Sequence, residues 1–312
     1  MNNLTHLDKS NARTILLQTI ERINGAYADS TIRAYRANFI MFIKYCESVD
    51  ASAVPALPET IAAFIEKLTA DQYHSSTIRQ IIVSIATLHT LNNYPNPATH
   101  SEVKIALRRM HRKIGRFSQQ AHGITKDLLD EMLAVTDDTM RGLRDRALLL
   151  VAYDTMCRRS ELVNLEVRDI DFQFPDRKSG TESTIIFIKQ SKSDQESNGR
   201  WLKISPKAAR ALKLWLSCAC IKAGNIFRGV DRGSNITDAL TPGQICRIYK
   251  RIATEAEFGD DFVKHVSGHS MRVGAAQDML LAGATLPMMM TKGRWSKPDT
   301  VMRYVEKMGI AI

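Results

Sequence analysis

At 312 residues the chain is long for a single core and implies two domains. Its 44% apolar content is that of an ordinary globular protein. No apolar run reaches the ~20 residues of a membrane helix, and the start, MNNLTHLDKS, lacks an apolar signal core, so neither a membrane nor an exported protein is expected. Lys and Arg outnumber Asp and Glu by 43 to 33, and the resulting +10 favours a polyanionic partner.

The N-terminal part reads as all helix. Ser30 is placed to cap a helix with Ile32, Tyr35, Phe39, Phe42, Ile43 and Cys46 at helical spacing. Pro58 opens the next, which carries Ile61, Phe64, Ile65 and Leu68. A third runs from about Ser76 with Ile78, Ile81, Ile82, Ile85 and Leu88 in one stripe, until NNYPNPAT breaks the pattern. Thr99 and Glu102 form a capping-box signature for a fourth. In that helix Val103, Leu107, Met110 and Ile114 share one face. Lys104, Arg108, Arg109, Arg112, Lys113 and Arg116 fill the opposite arc with a single sign of charge, a pattern suited to tracking phosphates.

RFSQQAHG is short, polar and aperiodic and reads as a linker. The resulting division is a helical domain over 1–115, a linker over 116–123 and a second domain over 124–312. Thr125 caps a new helix, and the run ALLLVAY marks a helix over about Arg141 to Met156 that is buried on most sides. Val167 to Ile204 reads as strands, clearest at Ile185 to Ile188 and Trp201 to Ile204, with the polar loop QSKSDQESNGR holding Lys192 between them. Helices return from Pro206. The fold class is therefore mainly α with a small β-sheet: an all-helical domain followed by a mixed α+β one. Five cysteines without framework spacing read as free, buried thiols in a reducing compartment.

The chemistry-bearing residues are spread along the second domain. Arg158 and Glu161 stand at i and i+3 in CRRSEL, so a carboxylate can hold a guanidinium fork, and Arg159 competes for the same place. His269 and Arg272, in GHSMRVGAA, fall near a helix N-terminus, where imidazole, guanidinium and helix dipole can converge on an anion. His265 precedes His269 by four, but no carboxylate or thiol set completes a metal site, and none is expected. Trp295 follows Gly293 in KGRWSKP, and its indole N–H is able to donate to a phosphate oxygen. Tyr304 lies on a helix that Ser296 and Pro298 can start. Two arginines, a lysine and a histidine make a cationic pocket. A phosphodiester is its natural guest, and a tyrosine beside it could attack the anion bound there.

The segments YDTMCRRSELVNLEV, IKQSKS, SGHSMRVGAAQDM and GRWSKPDTVMRYV resemble those of the tyrosine site-specific recombinases, the phage integrase family, and a weaker likeness runs through the N-terminal helices. The resemblance implies a core-binding domain and a catalytic domain that wrap DNA as a clamp. It selects Arg158 over Arg159. It gives Tyr304 the role of the nucleophile that forms a 3′-phosphotyrosine, and Arg158 and Arg272 the non-bridging oxygens. His269 and Trp295 complete the cradle, Lys192 protonates the leaving 5′-oxygen, and Glu161 supports the pocket. It also puts PGQICRIYKRI in the place of a major-groove reader, so Gln244, Arg247 and Lys250 are expected at bases or phosphates. Strand exchange through a Holliday junction implies a homotetramer on two double-stranded recombination sites, a monomer when free, no cofactor and no ATP. The setting implied is cytoplasmic, in a bacterium or phage-encoded, and nucleoid-associated in action. Only VEKMGIAI follows Tyr304, too short for the terminal helix that docks in trans in many relatives, although Met308 to Ile312 could hook a neighbour. The competing readings are a type IB topoisomerase and a catalytically inert DNA-binding regulator.

Overall fold

The computed structural model describes residues 11–116, 121–175, 182–189 and 199–305. The chain divides into two compact units, Met1–Gln119 and Gln120–Ile312.

The first unit is helical: α1 (Asn11–Arg22), α2 (Asp29–Ser48), α3 (Pro58–Ala70), α4 (Ser75–Leu91) and α5 (Ser101–Ile114). The apolar stripes on α2, α3 and α4 meet in one core, where Phe39, Phe42, Ile61, Phe64, Ile78 and Ile85 are fully buried and α5 adds Val103, Ala106 and Met110. Two helix starts differ from the expected ones. Ala28, not Ser30, is the N-cap of α2, with Asp29 in the first turn, where its charge favours the helix dipole. Thr99 belongs to a 3₁₀ turn, Pro97–Thr99, that Asn96 caps by accepting from the Ala98 N–H. That tight turn delays α5, whose N-cap is His100 with its Nδ1 accepting from the Glu102 N–H at 3.3 Å.

The second unit begins with α6 (Lys126–Ala134), α7 (Met140–Thr155) and α8 (Arg159–Val163). Three antiparallel strands follow, β1 (Ile170–Pro175), β2 (Glu182–Ile188) and β3 (Arg200–Lys203), with β2 in the centre pairing Ile186 with both Ile170 and Leu202. Val167–Asp169, expected as strand, is a 3₁₀ turn closed by Asp169, whose carboxylate accepts from the Glu166 N–H. After α9 (Pro206–Cys218) comes a second, two-stranded sheet absent from the sequence reading, β4 (Arg228–Val230) and β5 (Ile236–Ala239). Then come α10 (Pro242–Glu255), α11 (Asp260–His265), α12 (Ser270–Leu281), α13 (Leu286–Gly293) and α14 (Pro298–Val305). The fold is mainly α with small antiparallel sheets.

α7 is the axis of this unit. Leu143, Ala147, Leu148, Leu149, Leu150, Val151 and Ala152 are buried around its whole circumference, which explains why it shows an apolar run and no amphipathic stripe. Part of the expected linker, 121–123, is docked onto this unit: the His122 N–H donates to the His265 carbonyl, and the two imidazoles stack at 4.9 Å. The close approach depends on glycine. A Cβ on Gly274 would stand 1.8 Å from the Ile124 carbonyl oxygen, so the backbone lies directly on α12. Thr125 is the N-cap of α6 but its hydroxyl makes no capping bond; Asp278 of α12 accepts from the Lys126 N–H at 2.7 Å instead.

Of the five free cysteines, Cys46 and Cys157 are buried as expected. Cys218 and Cys220 are exposed, because they fall at the end of α9 and in the turn beyond it. Among the described residues no helix is long and apolar enough to cross a membrane.

Candidate active site

The site is assembled around the end of α7. Met156 closes that helix in a left-handed conformation and Cys157 is buried. Arg158 follows as the N-cap of α8, and Glu161 is the third residue of that helix. The Glu161 carboxylate does two jobs. One oxygen accepts from the Arg158 backbone N–H at 2.9 Å, and the other from the Arg158 guanidinium at 2.6 Å. Capping therefore fixes the carboxylate, and the carboxylate fixes the fork. Arg159 is exposed, with its side chain lying against Gly268, so it does not replace Arg158 in this arrangement.

α12 brings in the second arginine. Arg272 is 1% exposed. Its Nη1 donates to the Met156 carbonyl at 2.7 Å, and its Nη2 to the Gly293 carbonyl. Its guanidinium carbon lies 4.4 Å from the centre of the Trp295 ring. Desolvation first, then the charges of Arg158 and Arg294, lower its pKa to about 10, so it stays cationic at neutral pH. His269 is the N-cap residue of the same helix and is exposed. Desolvation, then the charges of Arg272, Arg159 and Arg158, hold its imidazole below the usual value. Neutral imidazole is thus the form present at pH 7.

Trp295 is 7% exposed and seated on Gly293, where any Cβ would strike the indole. Tyr304, half-buried on α14, approaches the same indole, with ring centroids 5.6 Å apart. One ring therefore touches both a buried cation and the tyrosine. Lys192 lies outside the described residues.

The expected DNA-facing residues divide. Lys104, Arg108, Arg112 and Arg116 are exposed and have no polar partner among the described residues, whereas Arg109 is paired with Glu66 of α3 at 3.4 Å. The single-sign face thus carries one compensating acid from a neighbouring helix. On α10, Arg247 is exposed. Gln244 is committed to a capping box, its Oε1 accepting from the Thr241 N–H at 2.7 Å, and Lys250 donates to the Lys264 carbonyl at 2.9 Å. The N-terminal position of Gln244 and the proximity of α11 account for these partners. Of the three, Arg247 is the one that presents its side chain outward without a polar partner among the described residues.

One participant was missed by sequence reasoning. Arg294, between Gly293 and Trp295, has a side chain 9% exposed and donates to Glu161 at 2.8 Å. No spacing rule marks it, since its partners lie on α7 and α8, over a hundred positions earlier. Glu161 is thus shared by two arginines. Burial raises the Glu161 pKa, but Arg294 and the bonds and charge of Arg158 outweigh burial and leave it below the ordinary carboxylate value.

The sequence model of the phage integrase family matches residues 122–308. The chain belongs to the phage integrase family. This is a family of tyrosine recombinases, which are DNA strand-transfer enzymes. Over 308 residues the integrase-family chain is 29% identical to the integrase/recombinase XerD homologue of Selenomonas ruminantium, covering 95% of this chain and 87% of that protein. Over the same length it is 23% identical to Recombinase cre of Escherichia phage P1, covering 94% and 88%. The motif segments resemble those of cre, yet the whole-chain identity to it is the lower of the two. Among solved structures, XerH recombinase bound to a palindromic difH substrate superposes with a TM-score of 0.67 at 16% identity, covering 95% of this chain and 80% of that one. The Tn1549 transposon integrase in complex with transposon right end DNA gives 0.66 at 10% identity, covering 93% and 94%. At these identities the structures show a shared fold.

Proposed function

We propose that this chain is a site-specific DNA recombinase in which the Tyr304 hydroxyl attacks a DNA phosphodiester. The oxygen–phosphorus bond that forms gives a 3′-phosphotyrosine, and the hydroxyl proton that is lost passes to solvent. The bond that breaks releases the 5′-oxygen, which takes a proton from Lys192. The observation that carries this reading is the Trp295 indole in contact with both Arg272, at 4.4 Å, and Tyr304, at 5.6 Å. A tyrosine beside a buried cation supports the nucleophile role. Arg158 and Arg272 bind the non-bridging oxygens; Arg272 uses two of its five N–H donors on backbone carbonyls, and the others serve the phosphate. His269, neutral at physiological pH, and Trp295 complete the cradle. Glu161 supports it.

Charge that builds on the equatorial oxygens is met by cations already in place, which lowers the barrier without reorganisation. The phosphoester bond is retained in the phosphotyrosine, so rejoining consumes no ATP. Exchange between two duplexes requires four strand cuts, and hence four copies of this chain on two recombination sites. Residues 1–115 act as a core-binding domain and 124–312 as the catalytic domain. Lys104, Arg108, Arg112 and Arg116 meet phosphates, as does Arg247. XerH recombinase is bound to a palindromic difH substrate and the Tn1549 integrase is in complex with transposon right end DNA, which supports DNA as the partner. The bacterial and phage sources of the relatives support a cytoplasmic, nucleoid-associated setting.

A supercoiled plasmid carrying two copies of the candidate site from the protein's genomic neighbourhood tests the reading against a topoisomerase. Site-dependent exchange products, with no relaxation of a plasmid lacking the site, are expected. Relaxation of both plasmids to the same extent, with no exchange, would make the enzyme a topoisomerase.

A further inference from the structure

We propose that Arg294 is a positioning residue for strand cleavage: it fixes Glu161, and through Glu161 the Arg158 fork, relative to the segment that leads into the Tyr304 helix. The inference rests on the recombinase reading above. Its basis is the three-residue segment Gly293–Trp295, in which every residue touches the site. The Gly293 carbonyl accepts from Arg272, and the Trp295 ring faces Arg272. Between them Arg294 reaches the end of α7 and Glu161 of α8. Its Nη1 donates to the Thr155 carbonyl at 2.9 Å, and its Nη2 to Glu161 at 2.8 Å, with the Met156 carbonyl at 3.4 Å. The Met156 carbonyl also accepts from Arg272, so both buried arginines are moored to the same end of α7.

The two oxygens of Glu161 are divided. One holds the Arg158 guanidinium, and the other holds Arg294 together with the Arg158 backbone N–H. Without Arg294 the second oxygen keeps a single neutral donor, and the carboxylate loses the charge that opposes its rotation. Arg158 would then lose its fixed aim, and small displacements of a positioning group commonly cost large factors in rate. A residue selected for stability alone would be a poor choice here. Arg294 has φ 56° and ψ 50°, the left-handed region that favours glycine, and its buried Nε has no partner among the described residues.

The test is single-turnover cleavage of a nicked suicide DNA by the full-length protein, comparing wild type with R294K, R294Q and R294G. The rate constant of covalent adduct formation, the amplitude and the DNA Kd are read separately. Misfolding lowers the amplitude, whereas mispositioning lowers the rate constant at full amplitude. R294G relieves the left-handed backbone while removing the guanidinium, so it guards against a variant that merely fails to fold. R294Q and R294G are expected to slow the covalent step about tenfold to a hundredfold with Kd little changed, and R294K to fall between them and wild type, since an ammonium can still meet Glu161. Wild-type rate constants in R294Q and R294G, with only amplitude or melting temperature reduced, would make Arg294 a structural strut and overturn the proposal. R294K no faster than R294Q would overturn it too, because the claim rests on charge at Glu161. A wild-type protein that binds the DNA but forms no adduct removes the recombinase reading itself, and the inference with it.

Discussion

Glu161, its side chain 4% exposed, lies between two guanidinium groups and a helix N-terminus. Removing its charge as Glu161→Gln leaves Arg294 buried without its counter-ion, and breaking a buried pair in this way costs about 3 kcal/mol or more. The cost depends on pH with a definite sign. The folded carboxyl titrates below its ordinary value of 4.5, so its stabilisation is fully present above that value and is lost as pH falls through the lower folded value. Denaturant melts of wild type and E161Q should therefore differ by this amount at neutral pH, and the gap should narrow as pH falls below 4.5. A gap that stays constant over that range would show that Glu161 is not held as a carboxylate by its arginines. At this scale the sequence was informative about Arg158, Glu161, His269, Arg272, Trp295 and Tyr304, which occupy one neighbourhood in the structure. It was silent about Arg294, whose significance comes from contacts with the distant end of α7. Spacing rules report neighbours on one helix, whereas the side chain of Arg294 finds its polar partners at the end of α7 and on α8.

Helices with strong apolar patterns were legible: Pro58 opens α3, and the apolar run of ALLLVAY lies within the buried α7. Helix starts were less so, because the groups that satisfy them are tertiary. Asp278 caps α6 from α12, and the 3₁₀ turn ending at Thr99 passes the α5 cap to His100. The short strands β4 and β5, of three and four residues, carry too little alternation to be read. α5 offers the sharpest functional test of an element. Val103, Ala106 and Met110 bury its inner face, leaving Lys104, Arg108 and Arg112 outward and exposed. If each meets one phosphate, the double variant R108A/R112A should weaken DNA binding alike on specific and non-specific duplexes. It should also reduce the slope of log affinity against log salt by about 1.8, or ~0.9 per contact. An unchanged slope would remove α5 from the DNA-binding surface.

At the scale of the whole molecule, each unit has its own apolar core, and the candidate site belongs to the second. The ordered set from Arg158 to Tyr304 could be listed from the sequence, but its convergence could not be derived from it. The convergence depends on α12 being pressed against the 123–125 backbone through Gly274 and on Gly293 leaving room for the Trp295 ring. Family membership accounts for the order of the residues, and packing accounts for their meeting. The central claim is that the meeting makes Tyr304 a nucleophile. The most direct measurement incubates the protein with a nicked suicide DNA bearing the candidate site, with EDTA present, and follows a protein–DNA adduct that survives SDS. Wild type should form the adduct, and Tyr304→Phe should bind the DNA equally well and form none. An adduct of undiminished yield in Tyr304→Phe would contradict the account, as would its absence from wild type on DNA that the protein demonstrably binds.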